Sequence, residues 1–393
     1  MALAIPWPLS TAALVAATAL ATTALLVLAR TALWPRRRRV LPSPLHTLAE
    51  TKEPRMRLGS WLYPTDAFPG GRDVETPYGS MRVYEFGPQD GPKVLFVHGI
   101  STPCMTLSLL AQACVARGCR VMLFDLFGRG YSDGVGDLPH DARLYSSQIL
   151  CALASSPLPW TGSQARLRLV GYSMGGSLAV CFANAFPDLV ASLVLMAPAG
   201  LIRPTDFGTL SRILFRSGLL PDRIVTVLAR RRLQAPIVAS RLSPKAMAAA
   251  TLAAAEATNL NRATATNKET RSRDKQQEPP LQERMLEYVR WMVLHHHGFV
   301  AAFMSCIRHA PLLDESESWR LLARRPPGST AVLLADADEI INADHYTSHG
   351  LALVGGPDRV VWRVLPGSHD FVMTHVESVM GVLDDFWDMK KLG

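Results

Sequence analysis

No two cysteines in this chain are spaced as Cys-x-x-Cys. The six (Cys104, Cys114, Cys119, Cys151, Cys181 and Cys306) are scattered over 393 residues, so the spacing writes neither a zinc framework nor a dense disulfide scaffold. Buried free thiols are expected, which suits a reducing compartment. Acidic residues are absent from the first 49 positions, the first being Glu50. Five arginines (Arg30 and Arg36, Arg37, Arg38, Arg39) lie in that stretch, so they supply five of the net +8 charges and leave +3 for the rest. The basic balance is therefore local, and no nucleic-acid partner is expected. Only one uncharged apolar run is long enough to cross a bilayer, which excludes a polytopic membrane protein. There is no internal repeat. Composition is otherwise ordinary, with 48% hydrophobic and 19% charged residues, which excludes wholesale disorder and a collagen-like chain.

The apolar run is Leu9 to Ala29, 21 positions without a charge. As a helix it spans about 31 Å, matching a hydrocarbon core of about 30 Å. Arg30 and the Arg36–Arg39 cluster follow it. A secretory signal peptide would carry positive charge before the run and a cleavage site after it. Residues 9–29 are therefore read as a single transmembrane anchor, with Trp7 and Trp34 at the interfaces. The positive-inside rule places the body on the cytoplasmic face, with the endoplasmic reticulum as the assumed membrane. The rival is a mitochondrial presequence, against which stands the lack of arginine in the first 29 residues. Residues 30–72 are read as a basic flank and a Pro-rich linker that seats the body at the bilayer surface.

Short β-branched runs then alternate with helix-length segments. Asp73–Tyr78 and Met81–Phe86 flank Gly79-Ser80 and predict a hairpin. Lys93–Val97, Arg120–Asp125, Leu167–Gly171, Ala191–Ala197, Thr330–Ala335 and Arg359–Leu365 predict further strands. Helices are expected over Met105–Arg117, His140–Ser155, Met174–Phe186 and Val376–Lys390. This rhythm predicts a mostly parallel α/β sheet. The interval 201–327 has no convincing strand and is read as a helical cap inserted into a core of residues 73–200 and 328–393. Within the cap, 262–280 is polar, ends in Pro279-Pro280, and is read as a mobile loop.

Gly171-Tyr172-Ser173-Met174-Gly175 stands directly after one predicted strand and before a helix. A strand that turns abruptly into a helix strains the backbone at the serine, and side chains at the flanking glycines would collide. Such a turn exposes the hydroxyl and sets it at a helix N-terminus, whose amides favour developing negative charge.

On these residues the chain resembles the α/β-hydrolase superfamily, over most of residues 73–390. His98-Gly99 looks like the family's oxyanion turn. Asp125-Leu126-Phe127-Gly128-Arg129-Gly130-Tyr131-Ser132 is similar to its D-x-x-G-x-G-x-S segment. Asp338 follows the strand Thr330–Ala335, and Gly367-Ser368-His369 follows the last strand, where the family carries its acid and its histidine. Ala335 and Asn342 depart from the family's frequent Gly and Pro. The resemblance implies Ser173 as nucleophile, His369 as general base and acid, Asp338 as the group that holds the imidazole tautomer, and the backbone N–H groups of Ile100 and Met174 as oxyanion donors. It implies no metal and no organic cofactor.

Other candidates receive plainer readings. His98 and Asp125 are expected to hold their turns. His295-His296-His297 cannot converge on one ion, because consecutive helical residues point 100° apart. Arg230-Arg231-Arg232 is read as a solvated cap face. The leading functional reading is a membrane-anchored serine hydrolase of a small lipophilic ester, with thioester or amide as variants. Ester is favoured because alkoxide leaves more easily than amine. The alternative is a lyase, cyclase or carbon–carbon bond hydrolase that uses the same three groups as a base. A non-catalytic receptor or scaffold ranks last, since binding needs no such constellation. The sequence leaves substrate and oligomeric state open.

Overall fold

The computed structural model describes residues 11–33, 39–48, 59–162, 166–203 and 279–389. The core is an eight-stranded sheet. Its strands are β1 (Gly71–Thr76), β2 (Gly79–Phe86), β3 (Lys93–Val97), β4 (Arg120–Phe124), β5 (Leu167–Tyr172), β6 (Val190–Met196), β7 (Thr330–Ala335) and β8 (Val361–Leu365), in the order β8-β7-β6-β5-β3-β4-β2-β1. Only β1–β2 and β2–β4 pair antiparallel; the other neighbours are parallel. The sequence dictates this. Lys-Val-Leu-Phe-Val in β3 and Thr-Ala-Val-Leu-Leu-Ala in β7 are continuous apolar runs, buried beyond their first residue or throughout, as strands covered by helices on both faces must be. The edge strand β8 instead mixes Val and Trp with an exposed Arg363.

The helices that cover the sheet include α2 (Ser108–Val115), α3 (Ala142–Ala154), α4 (Met174–Ala185) and the C-terminal helix Val376–Trp387. Helix α3 starts where Asp141 accepts hydrogen bonds from the Arg143 and Leu144 N–H groups, a side-chain cap that satisfies otherwise orphaned amides. From β3 the chain moves to β4 on one side and then to β5 on the other. The carboxyl ends of the neighbouring strands β3 and β5 therefore flank the switch point where ligands bind in open α/β sheets. This is the α/β-hydrolase architecture that the resemblance implied.

Two expectations are corrected. The hairpin turns at Pro77-Tyr78, not at Gly79-Ser80, because Gly79 pairs with Thr76 and Ser80 with Glu75. The Thr76 hydroxyl accepts from the Tyr78 N–H at 3.0 Å and donates to the Gly79 carbonyl at 2.7 Å, closing the turn two residues early. The linker is also not free over its described parts. Val40 and Leu41 pair with Val135 and Gly134, and the Ser43 N–H donates to Asp133 at 2.7 Å. Leu62, Tyr63 and Phe68 are buried, with Phe68 stacked on Phe86 and edge-on to Tyr84. The prolines favour irregular backbone here, but these apolar side chains dock it.

Between β6 and β7 the described residues form α5 (Leu281–His295), α6 (Phe299–His309) and a short helix Ser316–Leu321. Residues 204–278 lie outside the described set, and with them Arg230–Arg232 and most of the 262–280 loop. Near the N-terminus, α1 (Thr11–Leu33) is a 23-residue helix. Its window Ala13–Arg30 has a mean hydropathy of 1.9 and none of it is buried, so it is long and apolar enough to cross a membrane. Arg39 is described and donates to the Pro77 carbonyl at 3.0 Å; Trp7, Trp34 and Arg36–Arg38 lie outside the described residues.

Candidate active site

Ser173 occupies the turn between β5 and α4 with φ 55° and ψ −122°, a left-handed conformation that costs a non-glycine residue about 1–3 kcal/mol. Its surroundings hold it there. The Ser173 N–H donates to the Met196 carbonyl at 3.0 Å, and its own carbonyl accepts from Gly176 at 2.9 Å and Ala199 at 3.0 Å. The flanking glycines are required by close packing. A Cβ on Gly171 would lie 2.4 Å from the Gly175 carbonyl oxygen, and one on Gly175 would lie 2.2 Å from that of Val97. The second contact sets the end of β3 against the first turn of α4.

From Ser173 a chain of hydrogen bonds runs through His369 to Asp338. His369 Nε2 lies 3.0 Å from Ser173 Oγ, and His369 Nδ1 lies 2.8 Å from Asp338 Oδ2. The imidazole is 1% exposed and the Asp338 carboxylate 0%, so the pair is screened from water. A carboxylate only accepts, so Nδ1 carries the proton and Nε2 is left to accept from the serine hydroxyl. The other carboxylate oxygen accepts from the Ile340 and Ile341 N–H groups, each at 2.8 Å. Asp336, two residues earlier, is exposed and holds a different group: its Oδ1 accepts from the Gly367 N–H at 3.0 Å. It steadies the turn that presents His369 without touching the ring.

The two expected amide donors follow neighbouring strands, Ile100 after β3 and Met174 after β5. Met174 is the first residue of α4, so its N–H has no acceptor within the helix. Ile100 ends the His98-Gly99-Ile100 turn that leaves β3. Among the described residues neither N–H donates to a backbone carbonyl. His98 shapes this turn. Its Nε2 accepts from the Leu126 N–H at 2.8 Å, so Nδ1 carries the proton and donates to the Gly99 carbonyl at 2.9 Å. Asp125 ties the next loop down, accepting from the N–H groups of Cys104 and Tyr131 and from the Tyr63 hydroxyl. The consecutive histidines diverge. His295 lies tilted against Trp291, and His296 accepts from the Gly298 N–H and donates to the Ser132 carbonyl. Sequence reasoning missed Tyr172, whose hydroxyl donates to the His369 carbonyl at 2.9 Å and whose ring lies 5.2 Å from the imidazole. Its only sequence signal is its place beside Ser173.

Burial pushes His98 and His296 down to about 3, and for His98 the nearby Arg129 charge adds to the effect. Unfolding returns each to about 6.5. Between those values the unfolded chain binds more protons, so stability falls as pH falls. The two histidines together contribute about 3 kcal/mol per pH unit in that window. The melting temperature is expected to drop by about 3–4 °C between pH 6 and pH 5; thermal scans that superimpose across this range would contradict the neutral buried imidazoles.

The comparisons with known proteins agree with this geometry in fold. The family model described as serine aminopeptidase, S33, matches residues 89–347. An uncharacterized protein of Mycobacterium bovis is 28% identical over 156 residues, 40% of this chain and 41% of that protein. A serine hydrolase-like protein of Danio rerio is 29% identical over 134 residues, 34% of this chain and 39% of that protein. The chain thus spans about two fifths of the length of the curated relatives it matches. Among solved structures, a thermophilic esterase from Thermogutta terrifontis superposes with a TM-score of 0.55 at 17% identity, covering 81% of this chain and 98% of that one. A membrane phospholipase A, described as a bacterial virulence factor, superposes with a TM-score of 0.53 at 17% identity, covering 94% and 97%.

Proposed function

The chain belongs to the serine aminopeptidase S33 family of α/β hydrolases, and on that premise we propose that it is a membrane-anchored serine hydrolase of lipophilic carboxylic esters. The observation that carries the reading is the hydrogen-bonded line from Ser173 through His369 to the buried Asp338. His369 Nε2 takes the hydroxyl proton as Ser173 Oγ attacks the ester carbonyl. Asp338 keeps the proton on Nδ1 and balances the imidazolium that forms. The Ile100 and Met174 N–H groups receive the oxyanion at the N-terminus of α4. The alkoxide leaves with the proton from His369. Water, deprotonated by the same imidazole, then releases the acid from the acyl-enzyme.

The lipophilic substrate class rests on the apolar helix α1, none of whose window Ala13–Arg30 is buried among the described residues. From Leu33, where α1 ends, six residues lead to Val40, which is already paired to Val135. Fully extended, this connection reaches about 25 Å. Anchored so, the body stays within one connection length of the bilayer, where a greasy ester partitions. Turnover of p-nitrophenyl esters of rising chain length tests the reaction class. Rates that climb with chain length support it, whereas absence of turnover on every ester would favour the lyase or carbon–carbon hydrolase alternative.

The anchor makes its own prediction. The full chain is expected to stay in membranes through carbonate extraction, and protease added to the cytosolic face is expected to digest the body. A glycosylated, protected body would reverse the orientation. A mature N-terminus beyond the apolar run would make that run a cleaved signal sequence.

A further inference from the structure

Arg129 stands at the centre of the D-x-x-G-x-G-x-S segment, and its side chain is completely buried. A Cβ on Gly128 would lie 2.4 Å from Ala302 Cβ, and one on Gly130 would lie 2.0 Å from the Asp125 carboxylate. Both neighbours are thus bare backbone pressed against other elements. Among the described residues the guanidinium meets no carboxylate. Its Nε donates to the Ile100 carbonyl at 2.8 Å, Nη1 to the Phe127 carbonyl and the Tyr145 hydroxyl at 2.9 Å each, and Nη2 to Cys306 Sγ at 3.3 Å. Tyr145 Oη and Cys306 Sγ are themselves 3.1 Å apart. Tyr145 belongs to α3 and Cys306 to α6.

Burying a cation that has no carboxylate partner among the described residues is costly, far more so than packing that volume with an apolar side chain. What the cation adds lies one peptide unit from the chemistry. Its Nε grips the carbonyl of Ile100, the residue whose own N–H was assigned to the oxyanion. His98 already holds the Gly99 carbonyl, which shares a peptide plane with the Ile100 N–H, at 2.9 Å; gripping the next carbonyl limits the remaining rotation of Ile100. A buried positive charge beside the turn also favours negative charge developing there, because low polarity screens it poorly.

We propose that Arg129 is a positioning residue for the oxyanion site. Held by Tyr145 of α3 and Cys306 of α6, its guanidinium clamps the Ile100 carbonyl and thereby aims the Ile100 N–H. It also couples the seating of a helix between β6 and β7 to the competence of the oxyanion turn. The inference rests on the Ser173 reading above.

The test compares an oxygen ester with its thionoester of the same acyl chain, using the full-length protein. Sulfur accepts hydrogen bonds poorly, so only the oxygen ester draws on a well-aimed oxyanion donor. Arg129→Met is expected to lose about 100-fold in kcat on the ester, the size of one lost oxyanion donor, with KM changed less than about twofold. The thionoester rate is expected to fall far less, so that the ester-to-thionoester ratio shrinks about tenfold. Arg129→Lys, which keeps the charge but not the fork, is expected to recover part of the ratio. Tyr145→Phe removes one holder without touching the charge and is expected to lower the ratio a few-fold. It decides the matter should Arg129→Met fail to fold. Equal losses on both esters, or an unchanged ratio in Tyr145→Phe, would overturn the proposal. Ser173→Ala assayed alongside separates this from a failure of the underlying reading, since a Ser173→Ala protein that still turns over the ester would remove the oxyanion altogether.

Discussion

Ser173→Ala is expected to leave a folded protein with essentially no esterase activity. Alanine keeps the Cβ, so the strained backbone at φ 55° is no worse, and the three backbone hydrogen bonds that hold the turn do not involve the hydroxyl. One buried hydroxyl contributes only about 1 kcal/mol to stability. Catalysis loses the attacking atom itself, and loss of a triad serine costs about 10⁶ in kcat where it has been measured. Far-ultraviolet dichroism and the melting temperature check the first half, and kcat on an activated ester checks the second. A variant that keeps more than a tenth of the wild-type kcat would remove Ser173 from the mechanism.

Asp338→Asn carries the second large effect, and the geometry shows why a change of one atom should matter. The oxygen that accepts from Ile340 and Ile341 survives in asparagine. The atom facing His369 Nδ1 becomes an amide nitrogen, which donates. Two donors cannot face each other, so the imidazole takes the other tautomer, with its proton on Nε2 and no lone pair for the serine. In a comparable triad this lowers kcat about 10⁴-fold. Asp336→Asn keeps an acceptor for the Gly367 N–H and is expected to cost about tenfold or less, through the placement of the His369 turn. If Asp336→Asn is the inactive protein and Asp338→Asn turns over normally, the acid has been assigned two residues too late.

That the acid stands after β7 was readable from where the strand stops, a condition Asp336 and Asp338 both meet, and the resemblance placed it at Asp338. The apolar run of β7 ends at Ala335, so an acid that meets a loop from the neighbouring strand must stand beyond it. The glycines around Ser173 were readable for a similar reason: each sits where another backbone approaches within van der Waals distance, and only glycine fits. Parallel strands were legible as continuous apolar runs. What escaped the sequence depends on long-range partners. The turn at Pro77-Tyr78 is set by the Thr76 hydroxyl and by Asp133, which takes the Ser80 N–H from 53 residues away. Leu62, Tyr63 and Phe68 looked like part of a Pro-rich connection, and only the aromatic surface of β2 shows what they bury against. The Tyr172 brace on His369 spans 197 residues, and no local pattern announces it.

Rapid mixing with a p-nitrophenyl ester, acid quenching in the first turnovers and mass analysis of the peptide that contains Ser173 test the central claim most directly. A burst of about one p-nitrophenolate per protein, with the acyl group on Ser173 and absent from Ser173→Ala, is the expected result. Steady ester turnover with no burst, and with no acyl group on this peptide at any quench time, would contradict a covalent mechanism at Ser173.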